Sequence, residues 1–214
     1  MKIALWVLAA ICFVSLLLFF TLAPRPVART ESLPWQIEVI DRTHVSVIGL
    51  VLNQTTIFEM RDRFQNLEGL TLFETDKGQL TLEAYFGKVS IGSLLVRLIA
   101  RLSATQAELQ QLKQQAVNRL RAKSGDIKWL LADEVKELLM QKKITGLSLI
   151  PVYSGLDQSF FQQRFGEPDF RQQLDASSVR WFYFDTGVSL LIDDEGKELI
   201  EYQLPEDLKV ASPE

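Results

Sequence analysis

The sequence predicts an α+β protein: an N-terminal transmembrane helix, then two related small modules, each a helix with an antiparallel sheet, separated by a helical insert. Three observations carry this expectation. Residues 3–23 contain no charged side chain, and a helix of that length spans about 30 Å of hydrocarbon. A strand, a short helix and a hairpin occur twice, with "SVI" at 46–48 laid on "SLI" at 148–150 and "RF" at 63–64 on "RF" at 164–165, as a diverged duplication would give. Between the two copies, apolar residues recur at helical spacing.

The run at 3–23, "IALWVLAAICFVSLLLFFTLA", exceeds the apolar core of a cleavable signal, about 7–15 residues. Pro24 directly follows Thr21-Leu22-Ala23, the one small-residue site. The expectation is therefore an uncleaved signal anchor at 1–23, holding a single-pass protein in the inner membrane. Ile11 stands where a lipobox needs a small residue before Cys12, which disfavours lipid attachment. Lys2 on one side and Arg25 and Arg29 on the other leave the orientation open by charge. Residues 24–34, "PRPVARTESLP", carry three prolines and read as an extended tether.

The first module is expected at 35–90. "WQIEVI" and "VSVIGLVL" have strand composition. Thr56 and Glu59 have capping-box spacing, which starts a short helix over 57–65. Thr75-Asp76-Lys77-Gly78 sits between two apolar runs as a hairpin signal. The helical insert is expected at 91–146. Ile91, Leu94, Leu95, Leu98, Ile99 and Leu102 lie at i, i+3, i+4, i+7, i+8 and i+11; one face is apolar and Arg97 and Arg101 lie elsewhere, the pattern of a core helix or of one on a membrane surface. A second helix starts at the Thr105–Glu108 box and runs to 123, and a third covers 127–143. The second module is expected at 147–205, followed by a tail at 206–214. Asp157 caps its helix, Gly166 and Pro168 stop it, and two or three strands follow.

Composition narrows the chemistry. Beyond Lys2 the chain carries 22 basic and 27 acidic residues, a net of −5, which argues against nucleic acid as a partner. The only cysteine, Cys12, lies in the apolar run, so neither a disulfide framework nor a thiolate metal site can form outside it. His44 is the only histidine and has no partner base in sequence. Asp193, Asp194 and Glu195 are consecutive and lack the alternate spacing of a calcium loop, so a solvated turn is expected. Asn53-Gln54-Thr55 is a sequon at a helix start and reads as a turn. No glycine-rich loop follows a strand. No catalytic residue, metal, cofactor or small-molecule substrate is expected. Lys113 and Arg119, on the outer face of the expected insert helices, are the candidate partner-binding residues.

Gly155, Leu156, Asp157, Phe161, Phe165, Gly166 and Pro168, followed by Trp181 in "WFYF" and by "DDEGK", form a spaced motif that resembles the SmpA/OmlA (BamE-like) domain of bacterial envelope proteins. The likeness covers 147–204, and the tandem arrangement is similar to that of β-lactamase-inhibitor-type proteins. Around 54–67 the glycine and the Gly-x-Pro stop are missing. The resemblance implies a periplasmic, non-enzymatic α+β module that binds other envelope proteins in envelope assembly or maintenance. An inhibitor or regulator of an envelope enzyme is the alternative. Under either reading the motif residues hold the module together.

Overall fold

The computed structural model describes residues 32–122, 125–153 and 155–210. Three short strands open it: β1 (Ile37–Asp41), β2 (His44–Val47) and β3 (Leu50–Val51). Next come helix α1 (Ile57–Phe64) and strands β4 (Gly69–Glu74), β5 (Leu80–Ile91) and β6 (Leu94–Leu102). They are followed by α2 (Gln106–Gln114), β7 (Asn118–Arg121), β8 (Ile127–Leu130) and α3 (Asp133–Leu139). The last part holds β9 (Ile144–Pro151), α4 (Gln158–Phe165), β10 (Phe170–Gln173), β11 (Ser178–Tyr183), β12 (Val188–Asp193) and β13 (Leu199–Tyr202).

Ten strands form one antiparallel sheet in the order β10-β11-β12-β13-β9-β6-β5-β4-β8-β7. The seam between its halves is β6 against β9, with Leu98 opposite Leu149. β1, β2 and β3 make a separate sheet. The helices cover one face of the large sheet. On that face Leu72, Leu82, Ala84, Leu98, Leu149, Leu190 and Ile200 are buried and join Ile57 and Met60 of α1, Leu109 and Leu112 of α2 and Phe161 of α4 in one core.

Local chemistry sets the helix ends. Thr56 accepts the Glu59 amide while Glu59 Oε2 accepts the Thr56 amide at 2.7 Å, and Thr105 and Glu108 repeat this reciprocal box. Replacing Thr105 with alanine orphans the Glu108 amide and should cost about 1 kcal/mol, read as a lower urea midpoint with an unchanged slope. α1 and α4 stand in register: Ile57 corresponds to Gln158 and Phe64 to Phe165. Both are followed by a positive-φ residue, Gln65 and Gly166.

The β2–β3 hairpin is tight. Val47 pairs with Leu50, so Ile48 and Gly49 alone make the turn, at φ 48° and 72°. A β-branched residue is disfavoured there. Ile48 is nevertheless fully buried, and that burial offsets the backbone cost. The segment after this hairpin ties the small sheet to the seam: the Asn53 amide donates to the Ile144 carbonyl, and the Ile57 and Phe58 amides donate to the carbonyls of Lys142 and Met140.

These observations correct the expected architecture, which gave too much to helix. The stretch expected as a helical insert contributes β6, β7 and β8 to the large sheet, leaving only α2 and α3 helical. In β6 the buried residues are Leu94, Val96, Leu98, Ala100 and Leu102, a period of two. Leu95 and Ile99, on the other face, completed a false helical stripe. No helix among the described residues is long and apolar enough to cross a membrane. The expected transmembrane helix at 3–23 lies outside the described residues, and the single-pass inner-membrane assignment is withdrawn with it.

Candidate protein interface

The candidate partner-binding residues separate in the structure. Lys113 is turned inward from α2: its Nζ donates to Glu74 Oε1 at 2.6 Å and lies 5.0 Å from the centroid of the Trp129 ring. Trp129 Nε1 donates to the other Glu74 oxygen at 2.8 Å. The Lys113 hydrogen bond holds the Glu74 carboxyl below its usual range, joined by the Trp129 bond. This cluster fastens α2 to β4 and β8. Arg119 lies on β7, an exposed edge strand rather than a helix.

The motif residues around α4 come together. Asp157 Oδ1 accepts the Phe160 amide at 2.8 Å, and this bond is the main reason the Asp157 carboxyl titrates low. Phe161 is buried, and the Phe165 ring lies tilted against Tyr183 with centroids 6.0 Å apart. Tyr183 donates its hydroxyl to the Gly166 carbonyl at 3.0 Å, and burial raises the phenol well above its normal range. Trp181 is buried under the Arg171 guanidinium, 4.6 Å from its ring centroid. Gly155 is exposed ahead of the helix, while Leu156 and Pro168 are half-buried at its two ends.

The residues set aside as chemistry are turn formers. His44 Nδ1 sits 3.0 Å from Asp41 Oδ1, and Thr43 bonds the same oxygen. These bonds, the Thr43 amide first, pull Asp41 down to about 2. Asp193 Oδ1 accepts the Glu195 amide at 2.7 Å in a hairpin turn. Among the described residues no three metal-ligating side chains of His, Cys, Asp or Glu converge. A hollow of about 680 Å³ opens between the β6 end and α2, beside Arg101, Thr105 and Lys142. Lys142 in its wall bonds Glu108, which also closes the helix cap.

The largest surface without helices is the opposite face of the ten-stranded sheet, which sequence reasoning did not find. One row of the ladder runs Gly69, Tyr85, Ile99, Ser148, Glu201, Ser189, Phe182. A neighbouring row sets Glu83 opposite Arg101. Burial raises the Glu83 carboxyl, and Arg101 pulls it the other way. Arg180 Nη1 donates to Glu201 Oε2 at 2.8 Å and Ser189 adds a bond at 3.2 Å. Lys128 lies 5.2 Å from the centroid of the Phe73 ring. Charges of both signs alternate here with half-buried Tyr85, Ile99 and Ile150, while Arg97 and Arg101 are exposed. The signal for this face was the alternation of 95, 97, 99 and 101 against 94, 96, 98, 100 and 102, masked by apolar residues on both sides.

Comparison with protein-family models, with curated proteins and with solved structures finds no match.

Proposed function

We propose that the protein is a non-enzymatic binding scaffold for another folded protein in bacterial envelope assembly or maintenance, docking it on the helix-free face of the ten-stranded sheet. The observation that carries this reading is the face itself. Ten strands at about 4.8 Å spacing give a platform about 43 Å wide, enough for a standard interface of about 800 Å² per partner. Its paired charges and part-buried apolar side chains have the mixed character of protein interfaces. The envelope setting is supported by the SmpA/OmlA-like motif, whose residues build α4 and the strands beside it. Lys113 lies on α2, and Arg119 of the edge strand β7 stands opposite Trp129, whose ring meets Lys113 on the helix-covered side of the sheet, so the insert helices no longer serve as the docking surface.

A photo-crosslinking residue placed at Ile99 in the full-length chain should give one discrete adduct, identified by mass spectrometry as an envelope protein. The same residue at Gln110, exposed on α2, should give none. Arg97→Glu combined with Arg101→Gln, which leaves no carboxylate opposite Glu83, should remove the adduct and fail to complement a deletion strain while leaving the melting temperature within about 2 °C, because exposed substitutions shift stability little. Equal adducts at both positions, or full complementation by the double variant, would overturn the reading.

A further inference from the structure

A second recognition surface lies along the free edge of β1, remote in chemistry from the helix-free face. Among the described residues β1 pairs only with β2. The Leu52 amide donates to the Val45 carbonyl, so the odd residues of β2 face β3 and its even residues face β1. Ser46, opposite Glu38, therefore makes the β1–β2 bonds. By the alternation of antiparallel ladders, the amides and carbonyls of Ile37 and Val39 point away from β2, toward the open edge.

Two hollows adjoin along that edge. The first, about 230 Å³, is walled by Trp35, Ile37, Phe165 and Tyr183, with Asp169 and Asp185 at its rim. The second, about 640 Å³, is walled by Val39, Ile40, Phe184 and Pro205, with Asp41, Arg42, Asp185 and Glu206 around it. Asp185 borders both, so they form one groove. The ladder register shifts between Val39 and Asp41, a bulge that turns an extra apolar side chain outward: Ile40 is 53% exposed and Val39 42%. Apolar side chains left this open beside a free strand edge are the pattern an added strand covers.

Charge selects the occupant. Four carboxylates, Asp41, Asp169, Asp185 and Glu206, stand at the rim against two cations, Arg42 and the Arg164 guanidinium that lies 4.9 Å from the Trp35 ring centroid. A second copy of β1 would bring Glu38 and Asp41 against this acidic rim, so self-pairing is disfavoured. We infer that the groove binds an extended segment of another protein, added to β1 as a fourth strand, whose alternate residues are apolar and whose intervening residues are lysine or arginine. Its apolar side chains fill the two hollows, its backbone pairs with Ile37 and Val39, and its cations meet Asp169, Asp185 and Glu206. This surface is independent of the docking face proposed above.

The test uses the full-length protein and two synthetic nonapeptides, one alternating lysine with valine and one alternating glutamate with valine, each fluorescently labelled. By anisotropy the lysine peptide should bind and the glutamate peptide should bind at least tenfold more weakly. Hydrogen exchange should slow in the peptide covering 35–41 when the lysine peptide is bound. Val39→Pro removes an edge donor that β2 does not use, and Asp185→Lys with Glu206→Lys inverts the rim; each should weaken binding at least tenfold with the melting temperature held. The inference is overturned if the lysine peptide binds both variants as tightly as the parent, if it does not bind, or if protection appears only in peptides from β5, β6 and β9. That last result would assign the peptide to the helix-free face and leave the scaffold reading standing.

Discussion

Phe161→Ala should be among the most damaging single substitutions in the chain. Phe161 is fully buried on α4 and contacts the rings of Phe160 and Phe165, with centroids 5.4 and 6.3 Å away. Deleting a buried phenyl ring removes its transfer free energy and leaves a cavity, together costing about 3–5 kcal/mol. For a domain of this size that lowers Tm by roughly 10 °C. Differential scanning fluorimetry checks this; a Tm within about 2 °C of the parent would show that the core beneath α4 is not where the structure places it. Phe165→Ala should cost less, because Phe165 is only partly buried against that core, between Trp35 and Tyr183.

Gly187→Ala should be nearly as severe for a different reason. Gly187 turns the chain from β11 into β12 at φ 70°, and a β-carbon there would lie 2.0 Å from the carbonyl oxygen of Gln203. That oxygen belongs to a backbone locked by the Gln203 amide bond to the Gly187 carbonyl at 2.9 Å. The left-handed conformation alone costs an alanine about 1–2 kcal/mol, and parting the two backbones adds to it. A total of about 3 kcal/mol is expected, measured as a reduced urea midpoint. Gly78→Ala is the control: its φ is 76°, but open space surrounds the added methyl, so only the conformational part is lost. Equal midpoints for the two variants would mean that the turn at 187 moves away from β13.

Much of the local structure was legible because its signals are local. Thr56–Glu59 and Thr105–Glu108 declare helix starts by chemistry confined to four residues, and the turn at 75–79 closes with the Thr75 amide on the Gln79 carbonyl. Asp157 and Gly166 bracket α4 in the same way. What was not legible depended on distant partners. β6 carries Leu95 and Ile99 on the open face, so its apolar pattern fits a helix as well as a strand; only pairing with β5 and β9 decides. β7 and β8 are four residues each and polar or mixed, and the pairing of β8 to β4 and of β7 to β8 makes them strands. The edge strand β10, "FRQQ", has no alternation to read. The docking face was hidden for the same reason as β6: a sheet face exists only once its strands are assembled.

The Tyr202 hydroxyl donates to the Pro34 carbonyl at 2.9 Å, joining residues 168 positions apart. Trp35, one residue on, rests its ring against Phe160 and Phe165. The opening residues of the described chain thus close onto elements that are made much later. During synthesis at about 5–20 residues per second, the segment around 34–41 waits on the order of ten seconds before α4 and β13 emerge to receive it. Meanwhile its strand edge and its apolar side chains are uncovered. Long-range pairing of this kind slows folding, so this part of the chain reaches its native arrangement only when β13 has left the ribosome.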